Sequence, residues 1–369
     1  MRLYTLTLLF ALAALPLTAQ SSPAQAAQQP SAPPAQTPAP AEVQAQTPVP
    51  VPSLTVDRDP VRSPDGEPAE PRALSKKGDG YVLRTEVEEV VLNCTVLDGN
   101  RMVPDLKKES FQVFEEGVKQ KLISFQHTDL PVSIALVVDN SGSMGRKRPS
   151  VNKSALDLIE ASNPQDEAFV VNFSDEAIID QDFTSDVNKL REGLSYMKVQ
   201  GGTALYDAVA ASADKLAADA KHPKQVLILI TDGVDNASTN NLEQTISRVQ
   251  QLAGPVIYSI GLLFGDEDLS RDDIKHARNA LQLLSTETGG MAFFPKNIEQ
   301  VDQIAAEVAR DIRNQYTLGY HSTRPSSVPG FRRVEVTAEG KGMGKLIVRT
   351  RTGYFPGARV VKQATEQPR

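Results

Sequence analysis

Val132-Ser133-Ile134-Ala135-Leu136-Val137-Val138 runs directly into Asp139-Asn140-Ser141-Gly142-Ser143. The first stretch is apolar along nearly its whole length, the pattern of a strand buried on both faces. The second presents a carboxylate and two hydroxyls, spaced D-x-S-x-S, where that strand ends. Gly142 lets the backbone turn tightly between them. Small hard oxygen donors aimed at one point suit a magnesium-sized cation. Strand ends are also where open parallel sheets place their ligands. The stretch therefore predicts a divalent-metal loop on an α/β sheet.

Outward from this point, strand-like apolar runs recur at 133–138, 168–173, 226–231 and 256–261, with a weaker one at 291–294. Helix-like segments fall between or after them, at 151–161, 187–197, 204–218, 242–252, 272–284 and 298–314. Apolar strands separated by amphipathic helices predict a doubly wound, mostly parallel sheet covered on both faces. In such a sheet two further segments converge on the first loop. Gly201-Gly202-Thr203 precedes the helix starting at Ala204 and offers a hydroxyl beside a relaxed backbone. Thr231-Asp232-Gly233 follows Val226-Leu227-Ile228-Leu229-Ile230 and puts a second carboxylate at a strand end.

D-x-S-x-S, Gly-Gly-Thr and Thr-Asp-Gly, in that order and on those elements, resemble von Willebrand factor A-type (VWFA) domains, the fold of integrin I domains. The resemblance covers about residues 131–314, half of the chain. It implies a metal-ion-dependent adhesion site in which Ser141, Ser143 and Thr203 hold Mg2+ (or Mn2+) by hydroxyl. Asp139 and Asp232 would bind directly or through water. No position of the pattern is substituted. The flanks, Phe111-Gln112-Val113-Phe114-Glu115-Glu116-Gly117 before the domain and Tyr316-Thr317-Leu318-Gly319-Tyr320 with Arg351-Thr352-Gly353-Tyr354-Phe355 after it, resemble exported VWFA-related proteins abundant in acidobacterial genomes.

Those flanks read as β. Between 80 and 130, strand-like runs are broken by Asp98-Gly99-Asn100 and Glu116-Gly117, with 120–125 read as one run. After the helices, 316–321, 332–338 and 345–351 are strand-like again. Neither group has enough strands to stand alone. The expectation is one small β-rich domain made of both, with the α/β unit inserted between its halves.

The N-terminus reads as an export leader. Arg2 precedes the apolar stretch from Leu3 to Leu17, and small residues follow near Ala19. That stretch is short of the ~20 residues a spanning helix needs, so no transmembrane segment remains after cleavage. Residues 20–78 are rich in Pro, Ala, Gln and Ser, a composition that cannot offset its ordering entropy by burial and reads as a disordered spacer. The organisation is then leader 1–19, spacer 20–78, β-rich segment 79–130, VWFA domain 131–314, β-rich segment 315–357 and tail 358–369. The protein is expected to be exported: periplasmic, cell-envelope or secreted. The lone Cys94 lies in an alternating run and reads as a small buried hydrophobe with no intramolecular disulfide.

The net charge of -7 argues against a nucleic-acid binder, which carries a basic surplus. His127, His222, His276 and His321 are scattered without zinc spacing. Asp232 to Glu243 has the length of a calcium loop, but Val234 and Ala237 stand where that loop needs an oxygen ligand and Gly. Asp139 and Ser141 alone could merely cap a helix; Thr203 and Asp232 favour metal binding. No His, Lys or Cys lies within the motifs to serve as a general base, so the chain reads as a binding or adhesion protein, not an enzyme. Its partner would be a protein supplying an Asp or Glu carboxylate to the metal. The competing readings are a structural subunit of an envelope assembly and a metal-dependent hydrolase.

Overall fold

A computed structural model describes residues 76–77, 80–81, 89–161, 163–196, 200–252, 254–265 and 270–357. These all belong to one compact unit, Pro50–Arg369. The leader, the tail and all of the spacer but residues 76–77 lie outside the described residues.

The apolar runs form a six-stranded sheet. Its order is Ala177–Thr184, Glu167–Phe173, Val132–Asp139, Lys224–Thr231, Val256–Gly261 and Ala292–Phe293. Every neighbouring pair is parallel except the first, which is antiparallel. Ile134 lies opposite Ala168 on one side and Val226 on the other. Side chains alternate between faces along each strand. Ile134, Leu136 and Val138 enter one core with residues of α1 (Arg148–Glu160), α2 (Val187–Ser195) and α6 (Gln300–Arg313). Ala135 and Val137 enter the opposite core with α3 (Leu205–Asp219), α4 (Leu242–Gln251) and α5 (Arg271–Thr288). The doubly wound, mostly parallel α/β architecture expected from the periodicity is the one observed.

Val132–Asp139, the first strand of this sheet in chain order, is central, and the chain leaves it toward opposite edges on opposite faces. Val132–Asp139 and Lys224–Thr231 therefore flank the switch point, the crevice where loops on the two sides part. Asp139 and Asp232 end up at that crevice by topology alone.

Local chemistry sets the helix ends. Asn241 with Gln244 and Ser270 with Asp273 form reciprocal capping boxes on α4 and α5. α5 runs on to Thr288, past the expected end at 284, and stops at Gly289 in a left-handed conformation, φ 88°. A Cβ there would come within 2.6 Å of the Arg351 backbone nitrogen, so this glycine also permits the β-rich domain to pack closely. The edge strand Ala177–Thr184 has no counterpart in the sequence reading. Its register shifts between Ile179 and Gln181 and again between Gln181 and Thr184, which erases the period-two pattern.

The flanking segments combine into one β-rich body. One sheet has the order Ile347–Arg349, Glu89–Asp98, Tyr316–His321 and Leu122–Gln126, with Arg101–Met102 added beside Glu89–Asp98. The other has the order Gly353–Tyr354, Arg332–Ala338, Phe111–Glu115 and Val118–Gln120. Residues 120–125, read as one run, are two strands: the chain changes sheet at Lys121. Both sheets contribute to one core that includes Leu92, Cys94, Val96, Val113, Tyr316, Leu318 and Val336. Cys94 is buried and unbridged.

Asp311 near the end of α6 fastens the two bodies together. It is fully buried and accepts hydrogen bonds from Thr95 Oγ1 (2.8 Å), Tyr258 Oη (2.9 Å) and Arg349 Nη2 (2.8 Å). Thr95 and Arg349 come from the β-rich body, Tyr258 from the central sheet. Burial, and then the Asp311 charge, push the Tyr258 hydroxyl well above its ordinary pKa, which keeps it a donor. Close by, the Lys224 ammonium donates to the Ile312 carbonyl and Arg313 pairs with Asp129 and Asp166. Thr352 bonds Glu287 near the end of α5. All these contacts gather where the helices end and the strands begin, at the pole opposite Asp139 and Asp232.

Removing one partner of a buried charged cluster costs about 3–5 kcal/mol. Asp311→Ala is expected to lose that much in urea unfolding, because Arg349, Tyr258 and Thr95 all lose their acceptor. Unchanged stability would show that the bodies are held by other contacts.

Candidate metal centre

The strand Val132–Asp139 delivers Asp139 into the crevice with no exposed surface. Its Oδ1 accepts from the Ser141 backbone N–H at 2.8 Å, which fixes the turn. Its Oδ2 accepts from Thr231 Oγ1 at 2.5 Å, across the crevice from the next strand. Burial is the main reason that its pKa is pushed up to about 6; the bonds from Thr231 and Ser141 oppose the shift, and the nearby Asp232 charge adds to it.

After Asp139 the chain enters the short 3-10 turn Gly142–Arg146. Ser141 Oγ and Ser143 Oγ lie 3.2 Å apart, and Ser143 Oγ donates to Asp232 Oδ1 at 2.8 Å. Asp232, also with no exposed surface, is joined to the first loop through this row of hydroxyls.

Thr203 is clamped from two sides. Its backbone N–H donates to Asn236 Oδ1 at 2.8 Å, and its carbonyl accepts from the Asn236 and Ala237 N–H groups. Just before it, Gly201 adopts φ 83°, and the Gly202 N–H donates to Asp175 Oδ1 at 2.7 Å. A Cβ on Gly201 would come within 2.1 Å of Asp175 Oδ2, so only glycine fits this turn. The Thr203 hydroxyl packs against Gly233, since a Cβ built there would lie 3.2 Å from Thr203 Oγ1. The three loops thus bring Asp139, Ser141, Ser143, Thr203 and Asp232 to one crevice.

The sequence reading missed four residues that build this site. Thr231 orients Asp139, while Asn236 and Asp175 hold the Thr203 loop. Thr231 and Asp232 are adjacent, so the motif itself carried that signal. Asn236 and Asp175 carry none, being ordinary loop residues until folding juxtaposes them. The fourth lies just beyond the first motif. A lysine stands at the centre: Lys147 Nζ donates to Asp232 Oδ2 at 2.6 Å and to the Leu262 carbonyl at 3.2 Å.

The donor set fits a hard divalent cation: two carboxylates and three hydroxyls, all oxygen. Among the described residues no group of three or more His, Cys, Asp or Glu forms a metal-binding cluster. A metal held here would depend on the hydroxyls.

Residues 134–234 match the family profile of the von Willebrand factor type A domain. That segment is similar to von Willebrand factor type A domains. Among curated proteins, inter-alpha-trypsin inhibitor heavy chain H4 of Homo sapiens is 25% identical over 278 residues, covering 68% of this chain and 29% of that protein. An uncharacterized protein of Synechocystis is 26% identical over 140 residues, 37% of this chain and 33% of that one. The matches thus span about a third of those relatives' length. Among solved structures, the vWF domain of the type V pili tip protein Mfa5 from Porphyromonas gingivalis is 15% identical, with a TM-score of 0.41 over 50% of this chain and 95% of that one. A von Willebrand factor type A protein from Catenulispora acidiphila is 13% identical, with a TM-score of 0.42 over 66% of this chain and 75% of that one.

Thr231→Val leaves the buried Asp139 Oδ2 without its donor. The expected cost is about 1–3 kcal/mol in chemical denaturation, with Thr231→Ser losing clearly less. Equal losses for the two variants would assign the effect to packing instead of the hydroxyl.

Proposed function

We propose that this is an exported binding protein whose von Willebrand factor type A domain captures an acidic group of a protein partner through a metal-ion-dependent adhesion site. The observation that carries this reading is the convergence of two buried carboxylates and three hydroxyl residues at the sheet's switch point. Ser141, Ser143 and Thr203 would hold Mg2+ or Mn2+ by hydroxyl, and Asp139 and Asp232 directly or through water. The bound ion would supply the positive charge that fixes a partner's Asp or Glu carboxylate.

The chain's own residues support capture over catalysis. Thr231 and the Ser141 N–H occupy both oxygens of Asp139, while Ser143 and Lys147 occupy those of Asp232. Neither carboxylate is placed as a general base toward an open position. Lys147 is a donor twice over and holds no lone pair for proton abstraction. The β-rich body is fastened at the far pole, which leaves the metal end of the sheet open to a partner. The apolar leader and Pro-rich spacer of the sequence support export and display away from the point of export. No helix among the described residues is long and apolar enough to cross a membrane.

A structural role in an envelope assembly is the alternative, with the metal only stiffening the loops. Titration calorimetry of Mn2+ into the purified protein is expected to show binding that Thr203→Ala weakens. A pull-down from envelope extract in Mg2+ is expected to lose its partner on chelation and in folded Asp139→Ala. Retention of the partner by that variant would favour the structural role; absence of Mn2+ binding by the unmodified protein would defeat the adhesion-site reading.

A further inference from the structure

Lys147 links the first loop of the site to the third. Its backbone is set at the junction of the 3-10 turn and α1: its N–H donates to the Met144 carbonyl, and its own carbonyl accepts from Val151. The side chain is 11% exposed and passes the ring of Phe264, with Nζ 5.4 Å from the ring centroid. The ammonium ends between Asp232 Oδ2 and the Leu262 carbonyl. Leu262 is itself tied back, its N–H donating to the Thr231 carbonyl at 2.8 Å. The position of the charge is therefore determined by both chain neighbours and spatial ones.

A buried carboxylate without a counter-charge is costly. Asp232 has no exposed surface, and Lys147 is the cation it contacts. The neighbouring Arg148 makes no ion pair with Asp232: it donates to Asn172 Oδ1 and the Leu194 carbonyl, and its charge is shared electrostatically between Asp139 and Asp180, whose own carboxylate offsets it. Asp139 lacks an ion pair and relies on hydrogen bonds from Thr231 and Ser141. The site thus already holds one positive charge against two carboxylates. A divalent ion added to it leaves the centre with a surplus of one positive charge, which only an anionic ligand from outside cancels.

We propose that Lys147 is a built-in counter-cation of the adhesion site: it keeps the first and third loops assembled without metal, weakens metal affinity, and leaves the loaded site in need of an anionic partner. This rests on the adhesion-site reading and deepens it. Metal binding becomes a conditional event, favoured when the partner's carboxylate arrives with it, because metal and partner then share the charge that Lys147 disturbs.

The test compares the full chain with Lys147→Met, which keeps the apolar stem and removes the charge, and with Lys147→Arg, which keeps the charge. Mn2+ calorimetry is expected to show affinity at least about tenfold tighter in Lys147→Met than in the unmodified protein, from removal of a cation close to the metal. Lys147→Arg is expected to stay near the original affinity. In chelator Lys147→Met is expected to melt well below the unmodified protein, and Mn2+ is expected to close most of that gap. Equal Mn2+ affinity in the unmodified and Met proteins overturns the inference while leaving the adhesion site standing. Absence of Mn2+ binding in both overturns the site and the inference together. A second measurement needs no variant: in a Mg2+ titration followed by lysine side-chain NMR, the Lys147 signal is expected to shift, and a signal unmoved at saturation overturns the inference.

Discussion

Two carboxylates lie buried at the carboxyl edge of a parallel sheet, and their compensation is the constraint around which the site is built. Asp139 and Asp232 sit with no exposed surface on adjacent loops. Charge in such a place must be matched by hydrogen bonds and counter-charge. Asp139 is matched by Thr231 and the Ser141 N–H, and Asp232 by Ser143 and Lys147. Thr231 reaches Asp139 from the third loop, and Ser143 and Lys147 reach Asp232 from the first, so satisfying the carboxylates also draws these two loops together. A hard cation bound at the proposed site would meet oxygen donors already gathered, which would lower the ordering cost of its binding.

At the other pole a third buried carboxylate does comparable work. Asp311 joins α6 to Thr95 and Arg349 of the β-rich body and to Tyr258 of the central sheet. Both chain crossings into the α/β domain, before Val132 and after Arg313, occur at this pole. The β-rich body is therefore built from the two ends of the chain that the inserted domain separates. Its sheets pair strands far apart in sequence, such as Glu89–Asp98 with Tyr316–His321 and Phe111–Glu115 with Arg332–Ala338. The insertion leaves the candidate site remote from the anchoring end of the sheet.

Much of this architecture was legible in the residues. The run 132–138 is apolar on both faces because both faces are covered, and its alternation into two cores follows from strand geometry. The D-x-S-x-S loop could be placed at a strand end because the apolar run stops there. Ala177–Thr184 was not legible because two register shifts break its periodicity. The division of 120–125 between two sheets was hidden for a related reason: a strand's partner is not written in its own side-chain pattern.

The sequence by itself determined the kind of sheet, the candidate ligands and the loops that carry them, because periodicity and turn chemistry are local. The readings of a leader and a spacer likewise rest on composition alone. Only the tertiary structure decided that Lys147 neutralises Asp232, that Asn236 and Asp175 hold the Thr203 loop, and that Asp311 bolts the domains together. These are contacts between side chains distant in sequence. Their strength comes from burial, and burial exists only once the chain has folded around them.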